Sequence, residues 1–204
     1  MKTDIEEQEI ERTTMDTTTR IQTAFEQARS IFCEKMANYG PAWLGLSALG
    51  FADQIYIKAH RYKTLICKKK RKVQDPPELE LYAIINYCIL FLIARNRKIL
   101  AQIFDSPTAI VEPFSKNAQE KLIAYYQQEI EKTVELQFRK NHDYGSAWKG
   151  LTHEGIADIL FAKTLRIKAM LSSTKTLLDD KDPDGIVANL RDLINYSAFA
   201  LALN

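Results

Sequence analysis

The chain has 204 residues and a net charge of +2, with 46% hydrophobic and 26% charged residues. These values are ordinary for a globular protein, and the small net charge argues against nucleic acid as the partner. The acidic N-terminus lacks the apolar segment of a signal peptide, and three cysteines without CxxC spacing indicate reduced thiols, so we expect a cytoplasmic protein.

Three helices are predicted in the first half. Residues 1–15 are acidic, threonine-rich and aperiodic, which predicts a flexible tail. The apolar stripe of the first helix consists of Ile21, Phe25, Ala28, Phe32 and Met36. Gly40 ends that helix as a C-cap residue with positive φ. A second helix is predicted over 51–68, and Asp75 is predicted to N-cap a third, mostly apolar helix that reaches about Ala101. Its apolar run is too short to span a membrane.

The second half repeats this order. Prolines bracket a linker over 105–114, and Ser115 is predicted to cap a long helix that ends at Gly145. A further helix is predicted over 156–171, and Asp182 precedes a proline where the last helix opens. No stretch alternates with period two for long enough to form a sheet. The sequence therefore predicts an all-α fold of six helices in two triplets.

The two triplets are related in sequence. Residues 39–63 and 144–168 align without a gap at an offset of 105 positions, and twelve of the 25 aligned pairs are identical. The last helices realign at an offset of 109, which places an insertion in the final loop of the second copy. A long period with only two copies indicates a duplicated domain. We expect two three-helix repeats, residues 16–104 and 115–204, packed as a pseudo-twofold bundle around one shared core.

Polar residues retained in both copies are the candidates for a binding site. Lys163 and Arg166 lie three residues apart on one helix surface, where they could hold a phosphate. The same cations could instead form a solvated face or an inter-helix ion pair. Asp143 and Asp192 are acids that the first half lacks, so we place the candidate site in the second half, with these two as candidate metal ligands.

No residue is assigned a catalytic role. The candidate ligand-binding residues are Lys140, Asp143, Tyr144, Gly145, Trp148, Asp158, Lys163, Arg166, Asp192, Asn195 and Tyr196. Their counterparts in the first half are Lys35, Tyr39, Gly40, Trp43, Asp53, Lys58, Arg61, Asn86 and Tyr87. Tyr144 or Trp148 offers a stacking surface, although the Trp can also close the end of the core. Asn86 lies in an apolar helix, where an unpaired amide would cost about 1–3 kcal/mol, so a repeated Lys, Arg or Asp is its expected partner.

This ordered set resembles a known family. The residues that carry the similarity are Lys140, Asp143, Tyr144, Gly145, Trp148, Asp158, Lys163, Arg166, Asp192, Asn195 and Tyr196. They resemble the nucleotide modification associated domain family, formerly a domain of unknown function, in its tandem-repeat bacterial form. That resemblance implies an all-helical fold and a role near nucleotide or DNA-base modification.

A more distant similarity is to MazG-type all-α nucleoside triphosphate pyrophosphatases. Those enzymes hold Mg²⁺ with paired acids in ExxE and ExxD motifs. The chain departs from this pattern, because Asn189 stands three residues before Asp192. Mg²⁺ is the metal that a phosphohydrolase-like activity of this type would use.

The sequence thus favours a protein that binds a nucleotide or another phosphorylated ligand, and it leaves hydrolysis open. The alternative is a non-catalytic helical scaffold, or interaction protein, whose repeated polar residues hold the three helices together. The oligomeric state is not predicted.

Overall fold

The computed structural model describes residues 2–67, 75–104, 114–144, 147–173 and 185–203, without the side chains of residues 2–16, 138 and 140–144. The described residues form an all-α fold without strands. Its α-helices are α1 (Lys2–Tyr39), α2 (Ala48–Cys67), α3 (Glu78–Ala94), α4 (Arg97–Ile103), α5 (Lys116–Tyr144), α6 (His153–Ser172) and α7 (Ile186–Ala202). Short 3₁₀ helices, Ala42–Gly45 and Ala147–Gly150, precede α2 and α6. The predicted fold class is confirmed.

Helix α1 is longer than the sequence pattern predicts. It begins at Lys2 and therefore includes residues 2–15, where we predicted a flexible tail. No glycine or proline interrupts the chain before Gly40, and Glu, Gln, Arg and Lys are good helix formers, so helical backbone can propagate through a segment without an apolar stripe. The predicted stripe is confirmed, because its five residues are all buried: Ile21, Phe25, Ala28, Phe32 and Met36.

The end of α1 is set by glycine, as predicted. Gly40 adopts φ +56°, and its N–H donates to Met36 O at 2.9 Å. Pro41 follows and cannot donate to a continued helix, so the chain turns into the 3₁₀ helix.

Two details of the third predicted helix are wrong. Asp75 does not cap α3, which begins at Glu78 after the N-cap residue Pro77. The carboxylate of Asp75 instead pairs with a cation of α2. The helix also ends at Ala94 rather than near Ala101, because the side chain of Asn96 accepts hydrogen bonds from the next backbone N–H groups and starts the additional helix α4.

Caps also define the helices of the second half. Ser115 Oγ accepts from the backbone N–H of Ala118 at 3.2 Å, which confirms the predicted cap of α5. Thr152 Oγ1 accepts from Gly155 at 3.1 Å and starts α6 three residues before the predicted position. The predicted opening of the last helix at Asp182 lies outside the described residues.

One hydrophobic core contains residues from both halves. Helix α2 packs against α6, α3 packs against α7, and α1 contacts both α3 and α7. Helices α3 and α7 are the most deeply buried, with ten and twelve buried residues respectively. The Tyr62 hydroxyl, on α2, lies 2.9 Å from His153 Nδ1 at the start of α6.

The contacts between α2 and α6 are reciprocal. Lys63 Nζ lies 2.7 Å from Asp158 Oδ1, and Lys168 Nζ lies 2.6 Å from Asp53 Oδ1. Lys63 and Lys168 occupy equivalent positions of the two copies, as do Asp53 and Asp158, so the two ion pairs are equivalent. Each lysine also lies over an aromatic ring of the opposite helix, at 5.3 Å and 4.5 Å from the ring centroids.

Candidate functional site

A cavity of about 770 Å³ lies in the first half, between the C-terminal part of α1, the first 3₁₀ helix, α2 and the start of α3. This volume is within the range of small-molecule sites. Apolar side chains form much of its wall, including Phe32, Met36 and Leu90. The charged side chains that line it are Glu34, Lys35, Lys58, Arg61, Asp75 and Glu80.

Two cations of α2 meet a carboxylate of α3 in this cavity. Lys58 and Arg61 are three residues apart, so both project from neighbouring positions of one helix surface. Arg61 Nη1 lies 2.8 Å from Glu80 Oε1, and Lys58 Nζ lies 3.3 Å from Glu80 Oε2. Arg61 Nη2 also donates to Asp75 Oδ2 at 3.0 Å. Arg61 therefore bridges two carboxylates.

The two carboxylates differ in burial. The Glu80 side chain is 4% exposed, whereas that of Asp75 is 51% exposed. The cations lie between these extremes, with 24% of the Lys58 side chain and 40% of the Arg61 side chain exposed. Glu80 therefore holds the cations from inside, and Asp75 holds one of them at the rim.

Two buried polar atoms of the cavity walls have no hydrogen-bond partner among the described residues. They are Glu80 Oε2 and the indole Nε1 of Trp43. The Lys58 contact with Glu80 Oε2 is an ion pair without hydrogen-bond alignment. Because buried polar groups are nearly always hydrogen-bonded, these atoms provide an acceptor and a donor for a molecule in the cavity.

The mouth of the cavity is aromatic. Tyr39 is 69% exposed, and Lys35 Nζ lies 5.8 Å from the centroid of its ring. Tyr87 lines the cavity from α3, and burial raises the pKa of its hydroxyl, which therefore stays protonated at neutral pH. Gly40, with its positive φ, brings the chain around the mouth.

The second-half candidates are arranged differently. Lys163 Nζ pairs with Asp192 Oδ2 at 2.7 Å, in a contact that is 24% and 21% exposed on the two sides. The position equivalent to Glu80 is Asn189, whose amide donates to Gly185 O. Arg166 is exposed. The acid that meets the lysine thus comes from one turn further along the last helix.

Several predicted positions fall outside the described side chains or residues: Lys140, Asp143, Tyr144 and Gly145. The cavity described above lies in the first half, whereas the sequence placed the main site in the second. The reason is that Glu80 was not recognised as an acid of the first copy.

The repeated aspartates lie at the helix interface and not in the cavity. Asp158 pairs with Lys63, and Asp53 pairs with Lys168. Both aspartates therefore form inter-helix ion pairs. The sequence left such a pair open for Lys163 and Arg166, and Lys163 does pair with Asp192 of α7.

The predicted partner of Asn86 is wrong. Its Nδ2 donates to Ala28 O at 3.1 Å, and its Oδ1 accepts from the Tyr126 hydroxyl at 2.6 Å. No repeated Lys, Arg or Asp takes part in these bonds. Tyr126 is fully buried and stacks on Phe32, so this network joins α1, α3 and α5.

The remaining aromatic candidates of the second half pack in the core. Trp148 is 7% exposed and stacks on Phe199 with ring centroids 4.2 Å apart. Tyr196 contacts the same Phe199 edge-on at 5.8 Å. Trp148 therefore offers one face to the core, as the structural interpretation of the repeated Trp predicted.

Glu80 and Asp75 are the site residues that sequence reasoning missed. Glu80 precedes Ile84 and Cys88 by four and eight residues, so it continues the buried stripe of α3 toward its N-terminus. A charged residue on such a stripe needs a partner, and that signal was present in the sequence. Asp75 was read as a helix cap.

The described residues include no group of three or more His, Cys, Asp or Glu side chains placed to hold a metal ion. Of the two predicted metal ligands, Asp192 pairs with Lys163, and the side chain of Asp143 is not described. Among the described helices, none is long and apolar enough to cross a membrane.

Comparison with known proteins gives one family. A model of the family described as "Nucleotide modification associated domain 1" matches residues 35–94 and 140–203, which together are more than half of the chain. A match in two segments fits a repeat, and each segment lies within one of the two repeats that the sequence predicts. No match was found among curated proteins or among solved structures.

Proposed function

Because the chain belongs to the Nucleotide modification associated domain 1 family, we propose that it binds a nucleotide or a similar phosphorylated ligand in the cavity of the first half. The observation that carries the proposal is the pair Lys58 and Arg61, held side by side at the cavity by the buried carboxylate of Glu80. Arginine offers a planar fork of donors and lysine a point charge, which together suit a phosphate.

The phosphate takes the place of the rim carboxylate. Asp75 is half exposed and touches only the outer nitrogen of Arg61, so water can replace its contact at little cost. Glu80 stays in place and keeps both cations oriented toward the cavity. A bound phosphate then accepts from Arg61 Nη2 and Lys58 Nζ.

The remainder of the ligand meets aromatic and polar groups. The exposed ring of Tyr39 at the mouth offers a stacking surface for a base. Trp43 Nε1 donates to an acceptor on the ligand, and Glu80 Oε2 accepts from a hydroxyl or amino group. The ligand thereby satisfies two atoms that the protein leaves without partners.

A thermal-shift titration tests this proposal. The parent protein, Lys58→Met and Arg61→Met are heated with and without nucleoside mono- and triphosphates. We expect nucleotides to raise the Tm of the parent and to raise it less in either variant. Lys116→Met is the matched control, because the Lys116 side chain is 91% exposed and lies outside the cavity. Nucleotide shifts that are equal in all four proteins contradict the proposal.

Hydrolysis is not part of the proposal. An ExxD arrangement needs acids three residues apart on one helix, to hold a metal. The first copy has Glu80 with Ala83, and the second has Asn189 with Asp192, so neither copy has both acids. The similarity to MazG-type pyrophosphatases therefore does not extend to this pair of positions.

The non-catalytic scaffold is the second candidate function. It is favoured by the reciprocal ion pairs of Asp53 and Asp158, which show repeated polar residues joining α2 to α6. The same titration separates the two functions. A scaffold predicts that Lys58→Met and Arg61→Met lower the Tm while no nucleotide changes the Tm of the parent.

A further inference from the structure

A buried polar face lies between α5 and α7, in the second half and apart from the cavity described above. Glu129, Thr133 and Gln137 follow one another at intervals of four residues on α5, and all three are buried, so they share one side of the helix. Arg191 on α7 lies opposite, with Nη2 3.8 Å from Glu129 Oε2. Asn195, which is 5% exposed, follows one turn later on the same side of α7.

The equivalent face of α1 in the first half is apolar, and Phe32 on that face lines the cavity described above. The offset of 105 residues puts Ala24, Ala28 and Phe32 of α1 at the positions of the three polar residues, and all are buried. Apolar residues therefore suffice to pack this pair of helices. Burying polar side chains at these positions of α5 is unfavourable unless they are paired. Packing alone therefore does not explain why the second half has polar residues there.

Four atoms of the polar face have no hydrogen-bond partner in the part of the chain that is described. They are Gln137 Oε1, Asn195 Oδ1, Arg191 Nε and Trp148 Nε1. Trp148 is included because its counterpart Trp43 lines the first-half cavity together with Phe32 and Asn86, the counterparts of Gln137 and Asn195. Three of the four residues are at least nine-tenths buried, and buried polar groups are nearly always hydrogen-bonded. The unpartnered atoms therefore point to a ligand.

The repeat explains why Asn195 lacks a donor. Its counterpart Asn86 accepts from the Tyr126 hydroxyl. The offset places Ile21 where the equivalent donor of the second half would stand. An isoleucine has no donor, so among the described residues nothing replaces the Tyr126 hydroxyl as a donor to the Asn195 oxygen.

We propose that this face binds the base of an uncharged nucleoside. The protein supplies two unpartnered N–H donors and two unpartnered amide oxygens. A phosphate has acceptors only and would leave both amide oxygens unsatisfied. A nucleobase carries donors and acceptors side by side on one planar edge and can satisfy both kinds of group. This site is independent of the phosphate site, because it contains neither Lys58 nor Arg61.

The first test uses the protein without ligand. Asn195→Leu removes an amide whose oxygen has no hydrogen-bond partner among the described residues, so we expect the Tm to rise by about 2–4 °C. Asn86→Leu is the matched control, and it should lower the Tm because Asn86 has both of its partners. If Asn195→Leu lowers the Tm as much as the control does, the amide is satisfied within the protein and the proposal is overturned.

The second test uses uncharged deoxynucleosides: thymidine, deoxycytidine, deoxyadenosine and deoxyguanosine. At ten times its Kd a bound nucleoside should raise the Tm of the parent by roughly 3–6 °C. We expect Asn195→Leu and Gln137→Met to abolish that rise, and Lys58→Met to keep it. A parent that responds to none of the four at millimolar concentration overturns the proposal, as does a response that both variants retain.

A chemical control needs no variant of the protein. If thymidine or deoxyguanosine binds, it is compared with the counterpart methylated at N3 or N1, which lacks the ring N–H donor. If deoxyadenosine or deoxycytidine binds, it is compared with the counterpart whose exocyclic amino group is dimethylated and donates no hydrogen bond. We expect at least a tenfold loss of affinity in the parent, and equal affinity overturns the proposal. A shift with nucleoside triphosphates that disappears only in Lys58→Met belongs to the first-half cavity, so the two proposals fail separately.

Discussion

Replacing Glu80 with glutamine should have opposite effects on folding and on phosphate binding. Glutamine has nearly the same shape but no charge, so Lys58 and Arg61 lose the carboxylate that lies 3.3 Å and 2.8 Å away. Removing one partner of a fully buried ion pair costs about 3–5 kcal/mol. Here the cations are partly exposed and water screens them, so we expect the free energy of unfolding to fall by about 1–3 kcal/mol.

Phosphate binding should become tighter in the same variant. A phosphate that contacts both cations lies roughly 6 Å from the carboxylate, which repels it by about 0.7–3 kcal/mol for effective dielectric constants of 80 to 20. Removing that charge should tighten binding by about 3- to 100-fold. The loss of orientation of the two cations opposes this gain, because the phosphate also replaces the contact of Arg61 with Asp75.

Urea denaturation measures the first effect, and a titration with a nucleoside monophosphate measures the second. Glu120→Gln is the control, because the Glu120 side chain is 66% exposed and its lysine partner is as far as 4.0 Å away. Its free energy of unfolding should change by less than about 0.5 kcal/mol. A Glu80→Gln protein as stable as the parent would refute the buried ion pairs as described. One that binds phosphate more weakly would refute the predicted repulsion as the dominant effect, because orienting Lys58 and Arg61 would then matter more.

Three further predictions test the fold. Asn86→Leu leaves a buried tyrosine hydroxyl without its acceptor, so urea denaturation should show a loss of about 1–3 kcal/mol, and no loss would contradict the network. Gly40→Ala should lower the free energy of unfolding by about 1–2 kcal/mol because φ is +56°. Gly45→Ala should be near neutral, since an added Cβ meets no atom within 4 Å at either glycine. Equal effects would exclude backbone strain as the cause. Asp53→Asn and Asp158→Asn should each cost about 0.2–1 kcal/mol, less at high salt, and clearly unequal losses would contradict the reciprocal interface.

Periodicity was enough to predict the helices, because each buried stripe is a local property of the chain. The stripe from Ile21 to Met36 and the glycine that ends it follow from residues within a few turns of one another. Helix ends were less predictable where a polar residue had two available roles. Asp75 could cap a helix or pair with a cation. It forms the ion pair because Arg61, on another helix, lies 3.0 Å away in the folded protein.

The candidate site was only partly predictable, for a physical reason. The sequence identified Lys58 and Arg61 because repetition marks residues that both copies keep. It missed Glu80 because the second copy has Asn189 there, so repetition gives no signal. It also could not distinguish the cavity from the α2–α6 interface, since Asp53 is repeated as faithfully as Lys58 and only three-dimensional contacts separate them.

The reciprocal contacts explain which residues stayed the same and which diverged. At the α2–α6 interface, Asp53 meets Lys168 and Asp158 meets Lys63, so a change in one copy breaks a contact with the unchanged residue of the other. The residues that line the Glu80 cavity, in contrast, all belong to the first half. A substitution there requires no matching change in the other copy, and the two halves can acquire different chemistry while their interface is held constant. This difference in constraint accounts for the charged cavity around Glu80 in one half. In the other half it accounts for the buried face on which Gln137 and Asn195 accompany the Glu129–Arg191 ion pair.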